Sequence, residues 1–257
     1  MTVPDVLGLV WVLAALLMIA GWLWQWRHQN AGIVDVLWAA GLAMSAVLCA
    51  TLGTGALPPR LLLALSGALW GARLAWHLWG RVRWEGEDGR YRYLRSHWQG
   101  SQLKWFAFFQ LQAGLVVLFS VPFVIAAANR ATRPGWLAVA VAIWCVSVGG
   151  ESLSDTQLAR FRADPANRGR TCERGLWRYS RHPNYFFEWL HWFTYVALAV
   201  GAASGWVALI GPLIMLALLR FLSGIPFTEA QALRTRGENY RAYQERTSML
   251  FPWPPRR

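Results

Sequence analysis

The chain has 257 residues, 56% of them hydrophobic, with 18 tryptophans and a formal net charge of +12. Uncharged apolar runs of about 20 residues recur along it, each long enough to cross a hydrocarbon layer of ~30 Å, which excludes an ordinary soluble domain. The period-two alternation of a membrane barrel is absent, so the spans are expected to be helices that satisfy their own backbone hydrogen bonds.

The pattern predicts an all-α integral membrane protein forming one seven-helix domain, with spans at about 5–26, 32–53, 58–80, 104–128, 135–159, 184–202 and 204–223. The first carries Asp5 and no basic lead-in, which reads as a retained helix and not a secretory signal. Span two opens near Asp35. Span three begins after Pro58-Pro59 and carries Arg73 and His77. Span five begins after Pro134-Gly135, passes Glu151 and ends at Asp155. Spans six and seven form a hairpin about the tight Gly201–Gly205 turn. Glu188, His191 and Tyr195 lie in span six, and Arg220 ends span seven. The tail, 226–257, has a helix-like stretch from Thr228 to Arg246 that Pro252, Pro254 and Pro255 close. It is expected to lie along the cytoplasmic face. Cys49, Cys145 and Cys172 show neither a pairing pattern nor metal spacing and read as packing residues.

Basic residues concentrate in alternate connectors. Those after spans two and four carry only Arg60, and Arg130 with Arg133. The connector after span three holds Arg81, Arg83, Arg90, Arg92, Arg95 and Lys104. With seven spans, every basic-rich segment falls on one side, which predicts a cytoplasmic tail and an outside N-terminus. A multi-pass integral membrane protein is expected. Nucleic acid is excluded as a partner, because the basic groups sit in short loops between spans.

The cations are 24 arginines against a single lysine, Lys104. Arginine offers a planar fork for phosphate and carboxylate that lysine lacks. Seven of them, Arg160, Arg162, Arg168, Arg170, Arg174, Arg178 and Arg181, crowd between Asp155 and Glu188, followed at once by His182-Pro183-Asn184-Tyr185. Ionisable groups inside spans are costly and mark functional sites. Asp35, Arg73, Asp155, Glu188 and Arg220 all fall in the cytoplasmic half of the expected topology, as one polar cavity requires. A helix-packing ion pair such as Asp35–Arg73 is the competing explanation for two of them. Asp155 and Arg162 share a helix face, as do Asn184 and Glu188. Arginine forks and a helix N-terminus suit phosphates, and Asn with Glu suits amide or ribose donors. NADPH carries that set of groups, although the Rossmann glycine fingerprint is missing.

The chain resembles the membrane steroid 5α-reductase superfamily, in particular its bacterial relatives described as a domain of unknown function. The resemblance covers nearly the whole chain and is carried by Asp155-TQLAR-Phe-Arg162, Gly175-LWRYSRHPNYFF-Glu188, Arg220-FLSGI-Pro226 and Gly237-ENYRAYQERTSMLFP-Trp253. It implies a seven-helix fold that binds NADPH from the cytoplasmic side through Asp155, Arg162, Arg170, Tyr179, Asn184 and Arg220, with Arg73 and Arg90 as further arginines. Asp35, Arg181, His182, Tyr185 and Tyr243 complete the expected cofactor set. The family's early Gln-Glu pair and the Tyr three residues before the span-three Arg are not matched; Trp70 stands at the latter position. Phe187 replaces the small residue usual before Glu188. The cofactor half is thus retained and the substrate half is not.

The expected activity is NADPH-dependent reduction of an activated C=C bond in a lipidic substrate drawn from the bilayer. Glu188 positions the nicotinamide carboxamide or takes part in catalysis, and His77, His191 and Tyr195 are the candidate proton donors. The runner-up is an S-adenosylmethionine-dependent methyltransferase like the isoprenylcysteine carboxyl methyltransferases, which share an Arg-His-Pro-x-Tyr stretch. A lipid-binding or scaffold protein with a vestigial cofactor site is the non-enzymatic alternative.

Overall fold

A computed structural model describes Thr2 to Arg256. Among these residues the chain is helical throughout, with 3-10 turns and no strand. Helix α1 runs Val3–His28. It starts at a capping box in which the Thr2 hydroxyl accepts from the Asp5 amide and the Asp5 carboxylate accepts from the Thr2 amide. Thr2 and Asp5 therefore satisfy two backbone donors reciprocally. Helices α2 (Ile33–Leu52), α3 (Leu57–Trp84), α5 (Gln102–Ala127) and α6 (Pro134–Ala163) follow. A short helix, α4 (Gly89–His97), forms within the expected connector between spans three and four.

Among the described residues six stretches are long and apolar enough to cross a membrane: α1, α2, α3, α5, α6 and Gly205–Arg236. The protein is a multi-pass all-α membrane protein with six candidate spans. The expected span 184–202 is divided into α7 (Pro183–His191) and α8 (Phe193–Ala199). At the joint the Trp192 amide bonds three residues back, to Trp189 O at 3.2 Å, in place of the four-residue step. Together α7 and α8 rise only ~25 Å at ~1.5 Å per residue, short of the ~30 Å core. The last candidate span is composite. A 3-10 turn (Gly205–Leu209) leads into α9 (Ile210–Ala217), a π-helical turn (Leu218–Leu222) and α10 (Ile225–Arg236). The tail stretch expected as one helix is two, because Gly237 at φ +50° separates α10 from α11 (Glu238–Arg246).

The chain divides into two compact units. The first runs to Val139 and adds Tyr195–Gly211; the second is Ala140–Thr194 with Pro212 onward. In the first unit α2 and α3 approach closely through Gly67 and Gly71, a small-xxx-small spacing. A Cβ at Gly71 would lie 2.8 Å from Ala39 O and 2.9 Å from the Ala43 Cβ, and one at Gly67 would collide with Ala46. The core of this unit is aromatic, with Trp70, Trp105, Phe109, Phe119, Phe123 and Tyr195 fully buried.

Candidate functional site

In the second unit, α6 carries Asp155 near its C-terminal end and the chain reverses over residues 164–182. The Asp164 carboxylate caps the Pro165–Asn167 turn at the Ala166 amide (2.9 Å), and Asn167 Nδ2 donates back to Phe161 O (3.0 Å). A second turn, Gly175–Arg178, needs Gly175 at φ +59°. Gln157 on α6 holds it, accepting the Leu176 amide at 2.9 Å, and Trp177 Nε1 donates to Ser154 O at 2.9 Å. The chain then enters α7 with His182 at the cap, Pro183 in the first turn and Asn184 next.

This path brings Asn184 onto Asp155, with Nδ2 donating to Oδ1 at 3.3 Å. Glu188 follows one turn along α7, half-buried. Six of the seven arginines between Asp155 and Glu188 are exposed: Arg160, Arg162, Arg168, Arg170, Arg174 and Arg178. Arg220 is also exposed and sits on the π-helical turn, a feature enriched at functional sites. Tyr179 is 42% exposed. These residues supply guanidinium forks for phosphate and a carboxylate–amide pair for ribose or carboxamide groups, so the donor set fits a phosphate-rich cofactor.

Arg181, His182, Tyr185 and Tyr243, also in the expected cofactor set, are bonded or stacked within the second unit. Arg181 donates from Nε to Glu229 at 2.7 Å and from its other arm to Gln244 O (2.7 Å) and Thr247 O (3.0 Å). His182 is buried, 3.2 Å from the same Glu229 oxygen, and burial draws its imidazole below the ordinary 6.5. Tyr243 donates to Trp177 O and to Ser180 O, and burial lifts its phenol well above the ordinary 10, so it stays a donor. Tyr185 stacks on His182 at 5.4 Å and its hydroxyl meets Thr228 at 3.3 Å. Phe187 packs directly over Gly150 of α6, where any Cβ would enter its ring. The bulky residue before Glu188 is thus matched by a missing side chain on the facing helix. His191 is completely buried beside Trp192.

In the first unit Asp35 pairs with Arg90, not Arg73, at 2.7 Å, and also accepts the Tyr91 hydroxyl at 2.7 Å. Burial and the Asp35 charge push that phenol far above its ordinary range, and the Arg90 guanidinium lies over its ring at 4.5 Å. Arg73 is half-buried on α3, and His77 is exposed there. Tyr195 is fully enclosed, edge-on to Phe123 at 4.5 Å and hydrogen-bonded with Ser66. The sequence reading missed Glu87. It accepts the Ala31 amide (2.8 Å) and both forks of Arg95 (2.7 and 3.1 Å), while Arg95 also reaches Gln29 and Gln25 and stacks on Trp105 at 5.1 Å. An apolar groove of about 490 Å³ opens in this unit, lined by residues including Leu13, Leu17, Met44, Leu48 and Ala72. Its hydroxyls are turned back on their own helix, Ser45 to Leu42 O and Thr51 to Leu48 O. Among the described residues no cluster of three or more His, Cys, Asp or Glu could hold a metal.

A family model described as "Protein of unknown function (DUF1295)" matches residues 21–247. No curated protein and no solved structure matches the chain.

Proposed function

We propose that this chain, which belongs to the DUF1295 family, is an NADPH-dependent membrane reductase of a lipidic substrate. The observation that carries the proposal is the Asp155–Asn184 pair at the start of α7, with six exposed arginines along the same reversal. Phosphates would lie against Arg162, Arg170 and neighbouring guanidiniums. Asp155, Asn184 and Glu188 would orient ribose and carboxamide groups. NADPH when bound supplies the hydride, and the chain supplies orientation and charge. The proton that completes reduction of a C=C bond would come from His191, which is enclosed in the same unit as Asp155 and Asn184.

A lipidic substrate is favoured by the apolar groove. Its ~490 Å³ falls within the ~300–1,000 Å³ of small-molecule pockets. The protons of its two hydroxyls are already given to Leu42 O and Leu48 O, so it suits hydrocarbon.

We also propose seven crossings, with the N-terminus outside, the tail cytoplasmic and the protein in a bacterial inner membrane. Support comes from the charge distribution and from Asn129, whose Nδ2 donates to Leu198 O (2.8 Å) and Val200 O (2.9 Å). That contact sets the end of α8 beside the α5–α6 connector, as a return crossing by α7 and α8 requires. Reporter fusions after Ala131 and after Arg256 should fall on opposite sides.

The deciding experiment is ligand binding to the purified protein in detergent. NADPH should raise the melting temperature and S-adenosylmethionine should not. The reverse result would favour the methyltransferase, and a response to neither would leave only the non-enzymatic alternative.

A further inference from the structure

We infer that Glu229 is a positioning residue that sets the start of α7 for cofactor binding, an inference that rests on the NADPH proposal above. One carboxylate on α10 gathers four side chains. Its Oε1 accepts from Arg181 Nε at 2.7 Å, lies 3.2 Å from His182 Nε2 and receives the Tyr240 hydroxyl at 3.4 Å; its Oε2 accepts from Gln244 at 2.8 Å. Two of the four, Arg181 and His182, are the residues immediately before Pro183, and Asn184 is the residue after it. Its partner His182 is therefore two residues along the chain from Asn184, the side chain that meets Asp155.

Neighbouring contacts fix the same short segment. The Arg181 amide donates to Ser248 O (2.8 Å), the Ser180 hydroxyl to Leu250 O (2.8 Å), and the Trp253 amide to Tyr179 O (2.9 Å). Phe251 meets the rings of Phe186 at 6.0 Å and Trp189 at 5.3 Å on α7. Tyr185 reaches Thr228, one residue from Glu229. Backbone pairing and aromatic packing hold the segment to the tail. Glu229 ties the two side chains that precede α7 to one another, through charge-assisted bonds, the stronger kind, beside the bonds of Arg181's other arm to Gln244 O and Thr247 O. Such a carboxylate need never touch a cofactor to govern how well one binds.

The test compares wild type with Glu229→Gln, Glu229→Asp and Gln244→Ala in detergent. Two quantities are read: hydrogen exchange of the peptide covering 179–190, and the NADPH dissociation constant. Glu229→Gln should speed exchange in that peptide about tenfold and weaken NADPH about tenfold, with the spans' helicity retained. Glu229→Asp, which keeps the charge, should recover most of both. Gln244→Ala removes one partner, keeps the carboxylate, and should shift both two- to threefold; it serves if Glu229→Gln does not fold. Unchanged exchange at 179–190 in Glu229→Gln, or in Gln244→Ala if that variant alone folds, would overturn the inference whatever NADPH does. So would NADPH bound within twofold of wild type despite faster exchange. If wild type itself fails to bind NADPH, the reductase proposal falls. Faster exchange confined to 179–190 would then still support Glu229 as the residue that sets α7.

Discussion

Asn184 and Asp155, 29 residues apart in the chain, meet side chain to side chain at 3.3 Å, and the meeting point is the first turn of α7. The chain reverses between them over two turns with separate anchors on α6, Phe161 and Gln157. The pair is held from the α6 side by those turns and from the other by the tail. Asn184→Ala should weaken NADPH about tenfold, the worth of roughly one net hydrogen bond. Equilibrium dialysis measures it, and an unchanged constant would detach the pair from cofactor binding.

Gly150 and Phe187 make a paired prediction. Gly150→Ala drives a methyl into the Phe187 ring and should cost about 1–3 kcal/mol, as overpacking does. Gly149→Ala meets nothing within 4 Å and should be neutral or slightly stabilising. In a double-mutant cycle, Phe187→Ala should relieve the Gly150→Ala penalty, giving a coupling outside additivity. Thermal melts of the four proteins suffice.

Glu87→Gln should be among the most damaging single changes in the first unit. The side chains of Glu87 and Arg95 are 9% and 19% exposed, and the carboxylate also holds the turn at Ala31. Leaving Arg95 without its counter-charge should cost about 3 kcal/mol. The loss would appear as a lowered melting temperature, with Arg241→Gln, whose partner Glu238 is wholly at the surface, as a near-silent control.

His182 gives the molecule an acid-side weakness. Burial, the largest influence, lowers its folded pKa; Glu229 opposes this and Arg181 adds to it. A group whose folded pKa lies below its unfolded 6.5 binds more protons when unfolded between those values. Its contribution is complete above the unfolded value and is lost as pH falls from there toward the folded one. Melting temperature should therefore drop between pH 7.5 and 5, and His182→Gln should flatten that drop. An equal slope in both proteins would assign the acid sensitivity elsewhere.

The helical membrane class was legible because hydropathy survives local irregularity. The same tolerance hid the break at Trp192: aromatic residues run on through it, so nothing in composition marks a three-residue hydrogen-bond step. Asp155 and Asn184 stood out by residue type in an apolar setting. Glu87 did not, since its partners Ala31 and Arg95 come from a connector and from an unexpected short helix. Asp35 was singled out as a cofactor residue, with an Asp35–Arg73 pair as the competing explanation; a one-dimensional reading cannot see that α4 delivers Arg90 to it. The Gly67–Gly71 spacing was a usable signal for the close α2–α3 contact. The Gly150–Phe187 fit carries no local signature, being a complement of shape between two helices.

The pairing of residues 179–181 with 248–253 also imposes an order of events during synthesis. Ser180 leaves the ribosome 70 residues before its partner Leu250, an interval of several seconds at ~5–20 residues per second. Through that interval α7 lacks the Phe251 ring, and for most of it the Glu229 carboxylate as well, so its aromatic face waits uncovered. A message cut short just before Phe251 would encode all six candidate spans and an insertable protein, yet one whose α7 lacks its covering ring. Membrane delivery and the covering of α7 are thus separable checkpoints, and the second waits on residues 248–253.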